Sequence, residues 1–194
     1  PKWLSVNINN LDEAKILSYK SSKFTYPVVV KPNFEGSTLG LSIVRDKEGM
    51  NDAVELASKY SNNIIVEEFI DGRELTVGVL GDKALDIVEI IPKSGFYDYE
   101  SKYTKGATEY ICPAKINSTI SKTIKQDALK IHKALGCRHY SRVDFLLGNQ
   151  DSNPYMLEIN TLPGLSETSL LPMSASSAGI GFRELINAII DFSI

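Results

Sequence analysis

Polar and apolar side chains alternate at period two in Ser141-Arg142-Val143-Asp144-Phe145-Leu146-Leu147 and again in Tyr155-Met156-Leu157-Glu158-Ile159-Asn160. Each run predicts a half-buried strand, and Asn149-Gln150-Asp151-Ser152-Asn153 between them is turn chemistry, so the two form a hairpin. Residues two apart share a face of a strand, which points Arg142 and Asp144 one way and likewise Glu158 and Asn160. Four polar groups thereby converge on one side of an apolar hairpin. A single Asp or Glu in such a strand would belong to a solvated outer face. Here strongly apolar neighbours flank each polar residue, and Thr161-Leu162-Pro163-Gly164 follows. Asp, Glu and Asn offer only oxygen, the hard donor set that suits magnesium, an ion that takes one or two carboxylates and leaves its other positions to water and phosphate. An arginine beside them suits an anion.

Elsewhere the pattern predicts a mixture of hairpins and segregated helices. Asn10 with Glu13 three residues on resembles a capping box for a helix over Leu11 to Ser22. Strands follow at Pro27 to Lys31, Leu41 to Val44 and Ile64 to Glu68, with a helix over Glu48 to Tyr60. After the break at Asp71-Gly72, Glu74 to Leu80 and Ala84 to Ile90 alternate across Gly81-Asp82, a hairpin turn. Pro92 to Gly106 is polar, tyrosine-rich and without periodicity, as functional loops often are. Ile116, Ile120, Ile124, Ile131 and Leu135 recur at helical spacing up to a stop at Gly136, and a last helix covers Phe182 to Asp191. The class is α+β, with a smaller unit over residues 1–71 and a larger antiparallel unit over 72–194.

Composition narrows the function. With 43% hydrophobic and 23% charged residues in 194 the chain can build ordinary globular cores, and no apolar run reaches membrane-span length. A net charge of −3 gives no general attraction to nucleic acid or anionic membrane. Cys112 and Cys137 are too few for a thiolate zinc cluster and suit a reducing cytoplasm. His132 and His139 read as surface residues of the helix and its exit. The chain starts at Pro1 without a leader, as a piece of a longer protein would.

The loop after Lys31 gathers Gly36, Ser37, Thr38 and Gly40, small residues that let backbone N–H groups approach phosphate oxygens. It is neither a Walker loop nor a dinucleotide fingerprint, and alone it is no more than an ordinary hairpin loop. In series, however, Val28-Val29-Val30-Lys31-Pro32, Glu35-Gly36-Ser37-Thr38-Leu39-Gly40, Val66-Glu67-Glu68-Phe69-Ile70, Gly72-Arg73-Glu74-Leu75-Thr76-Val77, Phe96-Tyr97-Asp98-Tyr99-Glu100-Ser101-Lys102-Tyr103, Ser141-Arg142-Val143-Asp144 and Leu157-Glu158-Ile159-Asn160-Thr161-Leu162-Pro163-Gly164 resemble the ATP-grasp superfamily. Within it they resemble the D-alanine:D-alanine ligases over nearly the whole chain.

That resemblance implies an ATP-grasp fold of two subdomains clasping ATP, and a set of roles. Lys31 would hold ATP phosphates, with Gly36, Ser37 and Thr38 in the loop over them. Glu67 would accept from the adenine amino group, the backbone of Glu68, Phe69 and Ile70 would meet the adenine edge, and Val29, Leu146 and Leu157 would sandwich the ring. Glu74 would bind the ribose, and Lys102 would reach the γ-phosphate from the long loop. Asp144 and Asn160 would each hold one of two magnesium ions with Glu158 bridging, manganese being able to substitute. Arg142 and the N–H of Gly164 would stabilise an oxyanion, Ser169 and Leu170 would hold the second substrate's carboxylate, and Ser37 and Tyr103 would bond across the substrate.

The implied product is D-alanyl-D-alanine for peptidoglycan precursors, made through an acyl phosphate with ATP converted to ADP and phosphate. The resemblance also implies a cytoplasmic homodimer whose partners are small molecules, with no nucleic acid and no membrane. In that family a separate N-terminal domain grips the first substrate's amine and a further lysine contacts ATP, and neither has a counterpart here. These residues alone should therefore bind magnesium ATP with little ligase activity. Competing readings are another ATP-grasp carboxylate-amine ligase and a nucleotide-binding module that kept the fold without the chemistry.

Overall fold

The computed structural model describes residues 1–9, 24–36, 38–93 and 106–192. The helix expected over 11–22 lies outside them. The described residues divide into two compact units, the first within 1–70 and 106–107 and the second within 71–93 and 108–192.

The first unit is a four-stranded antiparallel sheet in the order β1-β4-β2-β3, with β1 at Trp3–Asn7, β2 at Val28–Pro32, β3 at Ser42–Val44 and β4 at Asn63–Glu68. Helix α1, Met50–Ser58, turns Met50, Ala53, Val54 and Ala57 to the sheet, the spacing that puts four side chains on one helical face. They pack on Val28, Val30, Ile64 and Val66. Period two then sends Val29, Lys31, Ile65 and Glu67 to the opposite face.

The second unit is a five-stranded antiparallel sheet in the order β7-β6-β5-β8-β9. Its strands are β5 (Gly72–Leu80), β6 (Lys83–Pro92), β7 (Thr108–Ile111), β8 (Tyr140–Gly148) and β9 (Pro154–Asn160). Helix α2, Ser118–Ala134, is capped by the Asn117 side chain, which accepts from the Thr119 N–H at 2.8 Å. Its Ile124 and Ala128 pack on Leu75, Val77, Val143, Phe145 and Leu147, covering one face of the sheet. Two further helices, α3 at Leu170–Ser177 and α4 at Phe182–Asp191, close a second core around Leu80, Leu85, Leu171, Ala175 and Leu185. On β5, Gly78 makes room for α3: a Cβ there would lie 2.6 Å from Leu171 Cδ1. Among the described residues no helix is long and apolar enough to cross a membrane.

His132 corrects the reading of both histidines as surface groups. It lies in the last turn of α2 at 2% exposure, with Nδ1 2.7 Å from Ser141 Oγ. Burial pushes its pKa below the ordinary imidazole value, against smaller opposing contributions from a backbone hydrogen bond at Arg138 and the charge of Asp82. The unfolded chain then takes up this proton at a higher pH than the folded one, so stability is full above about pH 6.5 and falls as pH drops towards the folded value. Urea midpoints at about pH 7.5 and about pH 5.5 should fall further for the natural chain than for His132→Gln. Equal falls in the two proteins would remove this histidine from the acid response.

Candidate functional site

Register on β5, β8 and β9 builds two cross-strand rows on the sheet face opposite α2. Thr76, Asp144 and Glu158 stand side by side in one row, and Gly78, Arg142 and Asn160 in the next. Glu74 pairs with Leu146 one row further along. The Asp144 carboxylate is held from two directions. Arg142 donates from Nε to Oδ1 at 2.9 Å and from Nη2 to Oδ2 at 2.8 Å, a bidentate fork, and the Thr76 hydroxyl donates to Oδ1 at 2.5 Å. Asp144 is 8% exposed, whereas Glu158 opposite it is open to solvent.

A bulge makes this arrangement work. Between Asp144 and Phe145 the partner changes from Glu158 to Met156, so Leu157 is the extra residue of β9. Strict alternation would place Met156 beside Glu158 and away from Ile159. The inserted residue instead lets Met156 and Ile159 both pack on the core under α2 while Glu158 stays opposite Asp144.

Beyond β9 the chain bends at once, with the Leu162 N–H donating to Asn160 Oδ1 at 3.0 Å. Gly164 passes close to Ser169: a Cβ on Gly164 would lie 2.8 Å from Ser169 Oγ and would oblige that hydroxyl to move. Ser169 is the N-cap of α3, and its hydroxyl lies 2.7 Å from Ser166 Oγ and accepts from the Ser166 N–H at 3.2 Å. Leu170 is 8% exposed, so its side chain is closed off and its backbone is the part that can serve a ligand. Its N–H opens the first turn of a helix, where donors lack intrahelical partners.

In the first unit Lys31 Nζ donates to Glu67 Oε1 at 2.7 Å, with side-chain exposures of 23% and 12%. Val29 is paired directly with Glu67, so an apolar surface, an ammonium and a carboxylate adjoin on the face away from α1. Lys2 holds the Glu68 carboxylate below the usual range, first through its backbone N–H at 3.0 Å. Phe69 and Ile70 are half-buried, and the Phe69 N–H reaches the Pro27 carbonyl at 3.4 Å. In the loop, Gly36 accepts from the Leu39 N–H and Thr38 from the Leu41 N–H, with Thr38 at φ 67° and Gly40 at φ 70°. Gly36 has open space where a Cβ would sit. Ser37, Lys102, Tyr103 and the stretch 94–105 lie outside the described residues.

Two carboxylates and an amide on adjoining rows fit a magnesium ion completed by phosphate and water, the habit of this metal. They would not make a cage by themselves, and among the described residues no cluster of three or more His, Cys, Asp or Glu is placed to hold a metal. Sequence reasoning missed Thr76 as part of this group. The signal was present in its alternation with Glu74, two residues before it on the same face.

Comparison with known proteins points one way. The family model described as "D-ala D-ala ligase C-terminus" matches residues 1–191. A D-alanine–D-alanine ligase of Halalkalibacterium halodurans is 47% identical over 174 residues, covering 88% of this chain and 57% of the relative. One from Geobacter sulfurreducens is 46% identical over 168 residues, covering 86% and 53%. Among solved structures, VanG D-Ala:D-Ser ligase from Enterococcus faecalis superposes with a TM-score of 0.85 at 32% identity, over 100% of this chain and 57% of that one. The D-alanine–D-alanine ligase of Bacillus anthracis gives 0.81 at 33% identity over 100% and 61%, and a structure of it complexed with ATP gives 0.79 at 32% over 100% and 60%. The chain thus spans a little over half the length of the relatives it matches.

Proposed function

The chain belongs to the family of D-alanine–D-alanine ligase C-terminal domains and has the α+β ATP-grasp fold, and on that footing we propose that its protein is an ATP-dependent ligase joining two D-alanine molecules into D-alanyl-D-alanine for peptidoglycan precursors. The observation that carries the reading is the pair of rows Thr76-Asp144-Glu158 and Arg142-Asn160, an oxygen donor set with an arginine fork on one sheet face.

In this reading Asp144, Glu158 and Asn160 would hold magnesium, or manganese in its place, and the ion would supply positive charge beside the transferring phosphoryl group when bound. Lys31 contributes a point charge to ATP phosphates, and because an ammonium has three donors the contact with Glu67 does not exhaust it. Gly36, Ser37 and Thr38 cover the phosphates. Val29, Leu146 and Leu157 contact adenine, Glu67 and the backbone of Glu68, Phe69 and Ile70 read its edge, and Glu74 takes the ribose. The carboxylate of the first D-alanine attacks the γ-phosphorus and expels ADP, and the amine of the second displaces phosphate from the acyl carbon. Arg142 and the Gly164 N–H face the oxyanion, while Ser169 and the Leu170 N–H hold the second carboxylate. Lys102 would reach the γ-phosphate, and Ser37 and Tyr103 would hydrogen-bond across the substrate.

Residues 1–71 and 72–194 would then be the smaller and larger subdomains of a cytoplasmic, homodimeric enzyme that uses neither nucleic acid nor membrane. The similarity to a D-Ala:D-Ser ligase makes D-serine the specific alternative for the second substrate. A coupled phosphate-release assay on the full natural protein, offering D-alanine, D-serine and D-lactate as second substrates, tests the choice. D-alanine should be preferred and D-lactate disfavoured, and a preference for D-serine would reassign the enzyme.

A further inference from the structure

We propose that Thr76 is a positioning residue for the magnesium site: its hydroxyl fixes the orientation of the Asp144 carboxylate towards Glu158. This rests on the reading of Asp144 as a metal ligand. Thr76 is 1% exposed on β5 and paired directly with Asp144 on β8, with Oγ1 2.5 Å from Oδ1 and 3.4 Å from the Val143 carbonyl. A β-branched side chain in a packed strand has little choice of χ1, so the donor is fixed by the fold itself.

The other grip on Asp144 is different in kind. Arg142 lies two residues away on the same strand, with a long side chain 20% exposed, and its fork occupies both carboxylate oxygens. A metal approaching Asp144 competes with that fork for lone pairs, and the guanidinium can withdraw towards solvent or an anionic substrate. Thr76 has nowhere to withdraw to. It approaches Oδ1 from within the sheet, so as the fork loosens it remains the bond that keeps the carboxylate turned to its cross-strand partner. Groups that orient a metal's ligands in this way typically alter metal affinity by about 10- to 100-fold when removed.

The test is the magnesium concentration giving half-maximal binding of a non-hydrolysable ATP analogue to the full natural protein, measured by calorimetry. Thr76→Val keeps the shape and removes the hydroxyl, and should raise that concentration by about tenfold or more. Thr76→Ser restores a donor and should return it to within about twofold of the natural protein. If the valine variant does not fold, Thr76→Ala carries the same expectation. A structural role alone would lower the urea midpoint and leave the magnesium dependence where it was. An unchanged magnesium midpoint in the valine or alanine variant, or a serine variant as impaired as they are, overturns the proposal. Binding of the analogue by the natural protein with no magnesium dependence would instead overturn the metal-site reading on which the proposal stands.

Discussion

Replacing Glu158 with Gln in the full natural protein should lower turnover at saturating ATP and magnesium by about a hundredfold or more, the scale on which removal of one charge-stabilising group acts in preorganised sites. Stability should hardly move. Glu158 is solvent-exposed on the outermost strand of its sheet, and surface substitutions of that kind usually stay within about 0.5 kcal/mol. The amide keeps the shape and one oxygen while losing the charge, so the variant separates chemistry from folding. Near-natural turnover would count decisively against Glu158 as a metal ligand. A large fall in the urea midpoint would show that its role is structural.

Arg142→Met should damage both properties. The fork to Asp144 disappears and leaves a carboxylate only 8% exposed with the Thr76 hydroxyl as its described neighbour donor. Stranding a buried charge typically costs about 3–5 kcal/mol, and the surviving bond from Thr76 places this case near the lower end. Turnover should fall by about a hundredfold or more, because the same guanidinium is assigned to the developing oxyanion. Arg142→Lys should restore neither property fully, since an ammonium cannot reproduce a planar two-donor fork. Urea unfolding and steady-state kinetics on both variants check the pair. A lysine variant with natural turnover would show that charge alone suffices and that the fork has no part in the chemistry.

Much of this site was legible because its residues lie in strands, where period two converts sequence directly into facing. Arg142, Asp144, Glu158 and Asn160 were expected on one hairpin and occur there, in two adjoining rows. Alternation fails at Leu157, since a bulge depends on pairing with another strand and leaves no local mark. Alternation with Glu74 gives the facing of Thr76, but its importance comes from register with β8, which is fixed by contacts 68 residues away. Helix α3 was missed because Leu170-Leu171-Pro172-Met173-Ser174 looks like an interrupted loop, yet a proline is tolerated in the first turn. His132 was misread because one polar residue on an amphipathic helix is normally outside; Ser141, nine residues on, gives it a partner inside. The long loop expected over Pro92 to Gly106, with Lys102 and Tyr103, falls mostly at 94–105 and so outside the described residues.

The central claim, that this chain belongs to an enzyme forming an acyl phosphate from D-alanine, has a direct isotopic test. D-alanine carrying heavy oxygen in its carboxylate is supplied with magnesium, ATP and the full natural protein, and the released phosphate and the dipeptide are analysed by mass spectrometry. Attack by the carboxylate on the γ-phosphorus leaves that oxygen as the bridge to phosphorus, so when the second amine displaces phosphate the label departs with it. One heavy oxygen should appear in phosphate for each D-alanyl-D-alanine formed. Unlabelled phosphate would mean that water and not the carboxylate took the γ-phosphoryl group, and would contradict the account.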